Sequence, residues 1–210
     1  CTQLALTDIN NTSAVLDFVR LAPNYGIKPV VGIDFRNAAA QKFIGIAKNN
    51  DGFDELNRFL TAHITHNQSF DDRAPVFENA YIIYPYQYLH ACKEATNEAN
   101  LKSTFTKIKD LASHEFIGIH ARQLFSLQQV MKDFQPGEWQ KKMLLLSPVT
   151  FRSKMDFNAH RLLRAIDNNM LLSKLPISEQ ALPDEIFYTS DELAIHYNKF
   201  PQLISNTNQF

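Results

Sequence analysis

The sequence predicts an α/β fold with a mostly parallel sheet, and three observations carry that expectation. Short, nearly continuous apolar runs recur along the chain, the pattern of strands buried on both faces. Helical patterns lie between these runs, and such alternation marks βα units. The chain has 210 residues, of which 45% are hydrophobic and 20% charged. That suits one large α/β unit able to bury a core without disulfide or metal staples.

Six strands are expected: Gln3–Thr7, Pro29–Phe35, Lys42–Lys48, Ala80–Tyr84, Glu115–Ile119 and Met143–Thr150. Asn11-Thr12-Ser13 stands before the periodic run Ala14–Leu21, so a helix with a polar cap is expected there. Pro23 and Gly26 then end the helix and turn the chain. Asp51–Ala62 places Phe53, Leu56, Phe59 and Leu60 at helical spacing, and Leu101–Ala112 and Gln123–Phe134 repeat the pattern. After Asp156 the texture changes to helix only, with Asp156–Asn168, Asp191–Tyr197 and Gln202–Asn208 as candidates. Residues 1–155 are thus read as the α/β body and 156–210 as a helical extension packed on it. The triple alanine Ala38–Ala40 reads as a loop.

Charge and cysteine content narrow the function classes. The net charge is -1, so no basic field favours autonomous nucleic-acid binding. Two cysteines, Cys1 and Cys92, form no metal-type spacing, which suits a reducing compartment. No apolar run reaches the roughly 18 residues of a membrane span. The expected location is cytoplasmic, with no membrane partner. The chain opens directly before a strand, at Cys1-Thr2-Gln3, and reads as the interior of a longer protein.

Candidate chemistry is sparse. No GxSxG elbow, P-loop or GxGxxG occurs. His63 and His66 are three apart; such a pair can share a metal, or simply sit at a fraying helix end. Cys92 lies in a helical pattern beside Lys93 and Glu94 and reads as structural. Asp8 and Asp34 close neighbouring candidate strands, where α/β folds gather ligands. Together they could hold a divalent cation through oxygen; alternatively Asp8 caps the next helix.

Three segments then become specific. Leu4-Ala5-Leu6-Thr7-Asp8-Ile9-Asn10 resembles the "ALTDHxN" segment of the PHP (polymerase and histidinol phosphatase) domain. Gly26 to Asp34 resembles its "GIKPIIGxE", and Ile46 to Leu56 its "LAKNxxGYxNL". Order and spacing resemble the PHP domain of bacterial DNA polymerase III alpha subunits. The far end agrees: Asp156 to His160 is similar to their "DxxAH" helix, Glu185 to Leu193 to "EFYLKSPEEM", and Phe200 to Thr207 to "xPEAIxNT". Residues 63–134 match in pattern only.

The resemblance implies a distorted (β/α) PHP-type barrel lacking its first strand, with a C-terminal helical extension. Active family members hold zinc or manganese, and the polymerase core, absent here, uses magnesium. Carried over position by position, the family's ligands fall on Ile9, Asp34, Lys42, Pro148 and Thr150. Only Asp34 could still ligate, and Lys42 would set a positive charge where a metal should sit. The implied reading is an N-terminal fragment of a replicative polymerase with a degenerate metal site and no cofactor of its own. Its implied partners are the polymerase core of the same chain, the proofreading exonuclease subunit, and DNA through the full-length protein. Two alternatives stand beside it: an active metal-dependent phosphoesterase or 3′–5′ exonuclease, and a binding module used outside replication.

Overall fold

A computed structural model describes residues 2–86, 110–131 and 137–210. Six strands form one curled sheet, a half-barrel, in chain order. They are β1 (Gln3–Ile9), β2 (Lys28–Asn37), β3 (Ala40–Ala47), β4 (Ala80–Pro85), β5 (Glu115–Ile119) and β6 (Met143–Leu145). Helices α1 (Val15–Leu21), α2 (Asn50–Thr65), α3 (Leu124–Met131), α4 (Lys154–Asp167), α5 (Ser190–His196) and α6 (Pro201–Gln209) accompany them. No described helix is long and apolar enough to cross a membrane.

The sheet departs from the parallel expectation at one strand. β1 runs parallel to β2, and β4, β5 and β6 run parallel to one another, while β3 is antiparallel to both neighbours. The cause is the connection. Asn37 and Ala40 are register partners, and a parallel crossover needs a dozen or more residues. The triple alanine is therefore a hairpin turn, with Ala38 at φ 50°. Reversal of β3 brings its first residues to the end of the sheet where the other five strands finish.

The two sheet faces carry different cores. On the outer face Ile33, Phe35, Phe43, Ile82, Tyr84, Ile117 and Ile119 are buried under Leu56 and Leu60 of α2, Phe70, Phe77 and Tyr197. Phe35 anchors an aromatic group, with ring centroids 4.8 Å from Phe43, 5.2 Å from Phe70 and 5.5 Å from Phe59. Such offset and edge-on contacts add to simple area burial. On the inner face Ile44, Ile46, Ile83 and Leu144 form a smaller cluster joined by Phe210.

Local chemistry sets the boundaries. Asn49 caps α2 by accepting the Gly52 N–H at 2.9 Å. Ser153 caps α4, and Thr189 forms a capping box with Glu192 at α5. The expected polar cap on α1 is not formed: Ala14 is its N-cap, and Asn11 instead accepts the Ser13 N–H at 2.7 Å in a local turn. β1 extends to Ile9, so Asp8 lies inside a strand and caps no helix. β6 stops at Leu145, short of the expected Thr150, where its register partner Ile119 is the last residue of β5. In the Gln123–Phe134 stretch the helix is Leu124–Met131, after a 3-10 turn over Ala121–Gln123. Most of the expected helix Leu101–Ala112, with Cys92, lies outside the described residues.

The sheet edges differ. β6 is covered by α6, whose Asn206 and Thr207 side chains bond to backbone groups of the β6 region. β1 pairs with β2 alone among the described residues.

Candidate functional site

The inner face of the half-barrel encloses a concavity of about 2050 Å³. Its lining includes the end of the sheet where β1, β2, β4, β5 and β6 finish and β3 begins, the end of an α/β sheet at which ligands gather. All five positions to which the resemblance carries ligands, Ile9, Asp34, Lys42, Pro148 and Thr150, line this concavity. Residues spread over most of the chain are thus brought to one place.

Asp34 is the centre of the polar part. It lies on the inner face in register with Ile44, and Ile44 in turn with Ile83, so apolar neighbours flank it and only 5% of it is exposed. Its Oδ2 accepts from Arg36 Nε at 2.9 Å, Arg36 Nη2 at 2.7 Å and Gln41 Nε2 at 3.0 Å. Its Oδ1 is buried without a hydrogen-bond partner. Burial raises the Asp34 pKa above its ordinary value, while the hydrogen bond and charge of Arg36 act against that rise.

A β-bulge explains which residues reach Asp34. Phe35 pairs with Phe43 and Arg36 with Gln41, so Lys42 has no partner in the ladder. The extra residue sends Gln41 to the inner face, while Lys42 turns to Asp72 at 2.6 Å. The cation bonded to Asp34 is therefore Arg36, while Lys42 lines the same concavity and pairs with Asp72. Asn10, just past β1, fixes this arrangement. At φ 48°, its side chain accepts the Arg36 N–H at 2.9 Å and donates to the Arg36 carbonyl at 2.8 Å.

Asp8 and Asp34 do not converge. Asp8 pairs with Ile33, and Ile9 with Asp34, so strand alternation sets the two carboxylates on opposite faces. His63 and His66 each bond the carbonyl four residues back, Phe59 and Ala62, at 2.9 and 2.8 Å. The His63 ring also stacks on Phe70, 4.9 Å between centroids. Both rings are engaged with their own helix and its packing.

Sequence reasoning missed His120 and Glu185. His120 directly follows β5 and lines the concavity; its backbone carbonyl accepts the Gln123 N–H at 2.9 Å and its own N–H donates to Gln123 Oε1 at 2.9 Å. Burial, then the positive charge of Arg122, pulls its pKa down to about 4, and Arg36 adds to the effect. Glu185 accepts from the Thr150 hydroxyl at 2.6 Å, and its charge contributes to the raised pKa of Asp34. The position of His120 at a strand's carboxyl end was the available signal. Glu185 comes from an irregular segment and had none.

Comparison with known proteins now bears on this geometry. The PHP domain family matches residues 1–127. The chain belongs to the PHP domain family. It is also similar to the DNA polymerase III subunit alpha of Vibrio cholerae serotype O1 (strain ATCC 39315 / El Tor Inaba N16961), at 33% identity over 88 residues. That match covers 37% of this chain and 8% of the relative, so this PHP domain corresponds to a small part of that polymerase subunit.

The metal centre implied by the PHP resemblance can be tested against the residues present. Ile9 and Pro148 offer no side-chain donor, Lys42 is paired with Asp72, and Thr150 with Glu185. One Asp34 oxygen is saturated by Arg36 and Gln41. Among the described residues no three His, Cys, Asp or Glu side chains gather so as to hold a metal ion. A multinuclear hydrolytic centre needs several such donors to fix the ions and activate water. These residues do not fit one.

Proposed function

We propose that this PHP domain is a non-catalytic, architectural and docking part of a cytoplasmic replicative DNA polymerase alpha subunit. One observation carries the reading: the five positions assigned to ligands share one concavity, yet four carry Ile9, Lys42, Pro148 and Thr150. The similarity to a polymerase III alpha subunit supports the replicative context. Residues 1–155 form the PHP body and 156–210 lead toward the polymerase core of the same chain. The proofreading exonuclease subunit is the further partner, and DNA is engaged by the full-length protein, which carries the nucleotidyl transfer.

The test is calorimetric titration of the purified protein with zinc and with manganese. No stoichiometric binding is expected, whereas tight uptake of two or three ions per chain overturns the reading. The buried, unpartnered Oδ1 of Asp34 is the one observation favouring an active phosphoesterase or 3′–5′ exonuclease. Metal-dependent trimming of a 3′-labelled primer, lost on Asp34→Ala, would establish that alternative.

A further inference from the structure

We infer that the Arg36 guanidinium is a resident cation that takes the place of a bound metal and ties the strand ends of the half-barrel together. The inference deepens the non-catalytic reading above and rests on it. What carries it is the misfit between the donor set and a metal centre, together with what occupies the space instead. Arg36 meets Asp34 through two N–H groups on one oxygen, at 2.9 and 2.7 Å. The carboxylate side chain is 7% exposed and the arginine side chain 29%. Arginine suits this position because its charge is permanent and its planar fork fixes direction.

The arrangement spans three strands. Asp34 and Arg36 belong to β2, and Gln41 brings β3 to the same oxygen at 3.0 Å. Asn10, just past β1, clamps the Arg36 backbone from both sides and donates its own N–H to the Asp34 carbonyl at 3.0 Å. A metal joins chain segments by collecting their ligands, and its binding free energy becomes folding free energy. Here a tethered guanidinium and two amide side chains do the same joining with no ion to load or lose. The bulge that leaves Lys42 outside the ladder admits Gln41 to this cluster. The domain is therefore built so that its fold is independent of divalent metal while still depending on a cation beside Asp34.

Thermal unfolding of the purified protein and two variants tests this, with each melt repeated in EDTA, zinc chloride or manganese chloride. The wild type should melt at one temperature in all conditions. Arg36→Ala leaves a buried carboxylate unpaired and should melt about 5–10 °C lower. The double variant Asp34→Leu with Arg36→Leu removes both charges from an apolar setting and should regain most of that loss. If Arg36→Ala fails to fold while the double variant folds, the inference is equally supported. Arg36→Ala melting within a degree of wild type, or a double variant no better than the single one, overturns the inference and leaves the non-catalytic reading standing. Stabilisation of the wild type by zinc or manganese overturns both.

Discussion

The Thr207 hydroxyl accepts the backbone N–H of Leu145 at 2.8 Å, so a helix side chain closes the outer edge of β6. Beside it Asn206 donates to the carbonyls of Met143 and Gln140, both at 2.7 Å, and accepts from Gln202. An open strand edge exposes unpaired backbone groups that invite foreign strands; α6 satisfies part of this one. Thr207→Val keeps the shape and removes the acceptor, which should cost about 1–2 kcal/mol. Asn206→Leu takes the side-chain donor from the Met143 carbonyl, while the Gln140 carbonyl keeps the Met143 N–H, and should cost about 2–4 kcal/mol. Urea unfolding checks both, and the order Asn206 above Thr207 is the discriminating result.

Glu115 is a second buried acid among the described residues, 4% exposed, and unlike Asp34 it has donors on both oxygens, on the outer face. It accepts from the Tyr84 hydroxyl at 2.8 Å, the Ala112 N–H at 2.7 Å and Arg73 at 3.1 Å. It thereby fixes the loop bearing Arg73 and the entry to β5. Glu115→Ala should destabilise by about 3–5 kcal/mol, as expected when one partner of a buried charged network is removed. Glu115→Gln keeps the shape and some acceptor capacity and should cost about half as much. Equal losses in denaturant melts would show that packing volume, not the network, sets the effect.

Much of the resemblance in the sequence turns out to be structural chemistry. Asn49 of the "AKN" segment is a helix cap, Gly52 a point of close backbone approach, and Asn10 a clamp on β2. Such residues recur because the backbone demands them, so they reveal fold more readily than activity. The six strands were legible because buried runs need apolar residues in sequence. The reversal of β3 was not, because nothing in its apolar run states which way a strand points. Arg36 as the partner of Asp34 was hidden for a related reason. Position-by-position transfer named no partner for Asp34, and a one-residue bulge, invisible in composition, leaves Lys42 out of the ladder and brings Gln41 in. His120 and Glu185 meet the site only through tertiary placement.

Gly52 offers a direct test of how α2 is seated. A Cβ there would lie 1.8 Å from the Asn79 carbonyl oxygen, and the Asn79 side chain is held by Glu55 at 2.9 Å. Alanine normally favours a helix over glycine by about 1 kcal/mol. Here the clash with backbone should reverse the sign, and Gly52→Ala should lose about 2–3 kcal/mol. A stabilised variant in thermal melts would mean that Asn79 yields easily and that the close approach is incidental.

His120 makes the acid side of the stability curve testable. Its folded pKa is pulled down to about 4 by burial first and by Arg122 next, against an unfolded value near 6.5. Between these values the unfolded chain binds the extra proton, so the stability held by neutral His120 is complete above about pH 6.5 and is lost as the pH falls toward 4. The structural reason is the setting of the ring: protonation would place a charge in a largely desolvated site beside the Arg122 guanidinium. His120→Asn keeps a polar side chain at the same position and removes the titration. Between pH 7 and pH 4 the wild type should lose on the order of 2–3 kcal/mol more than this variant. Denaturant melts across that range decide it. Parallel pH profiles for the two proteins would place the acid sensitivity elsewhere, whereas convergence at low pH assigns it to the histidine at the end of β5.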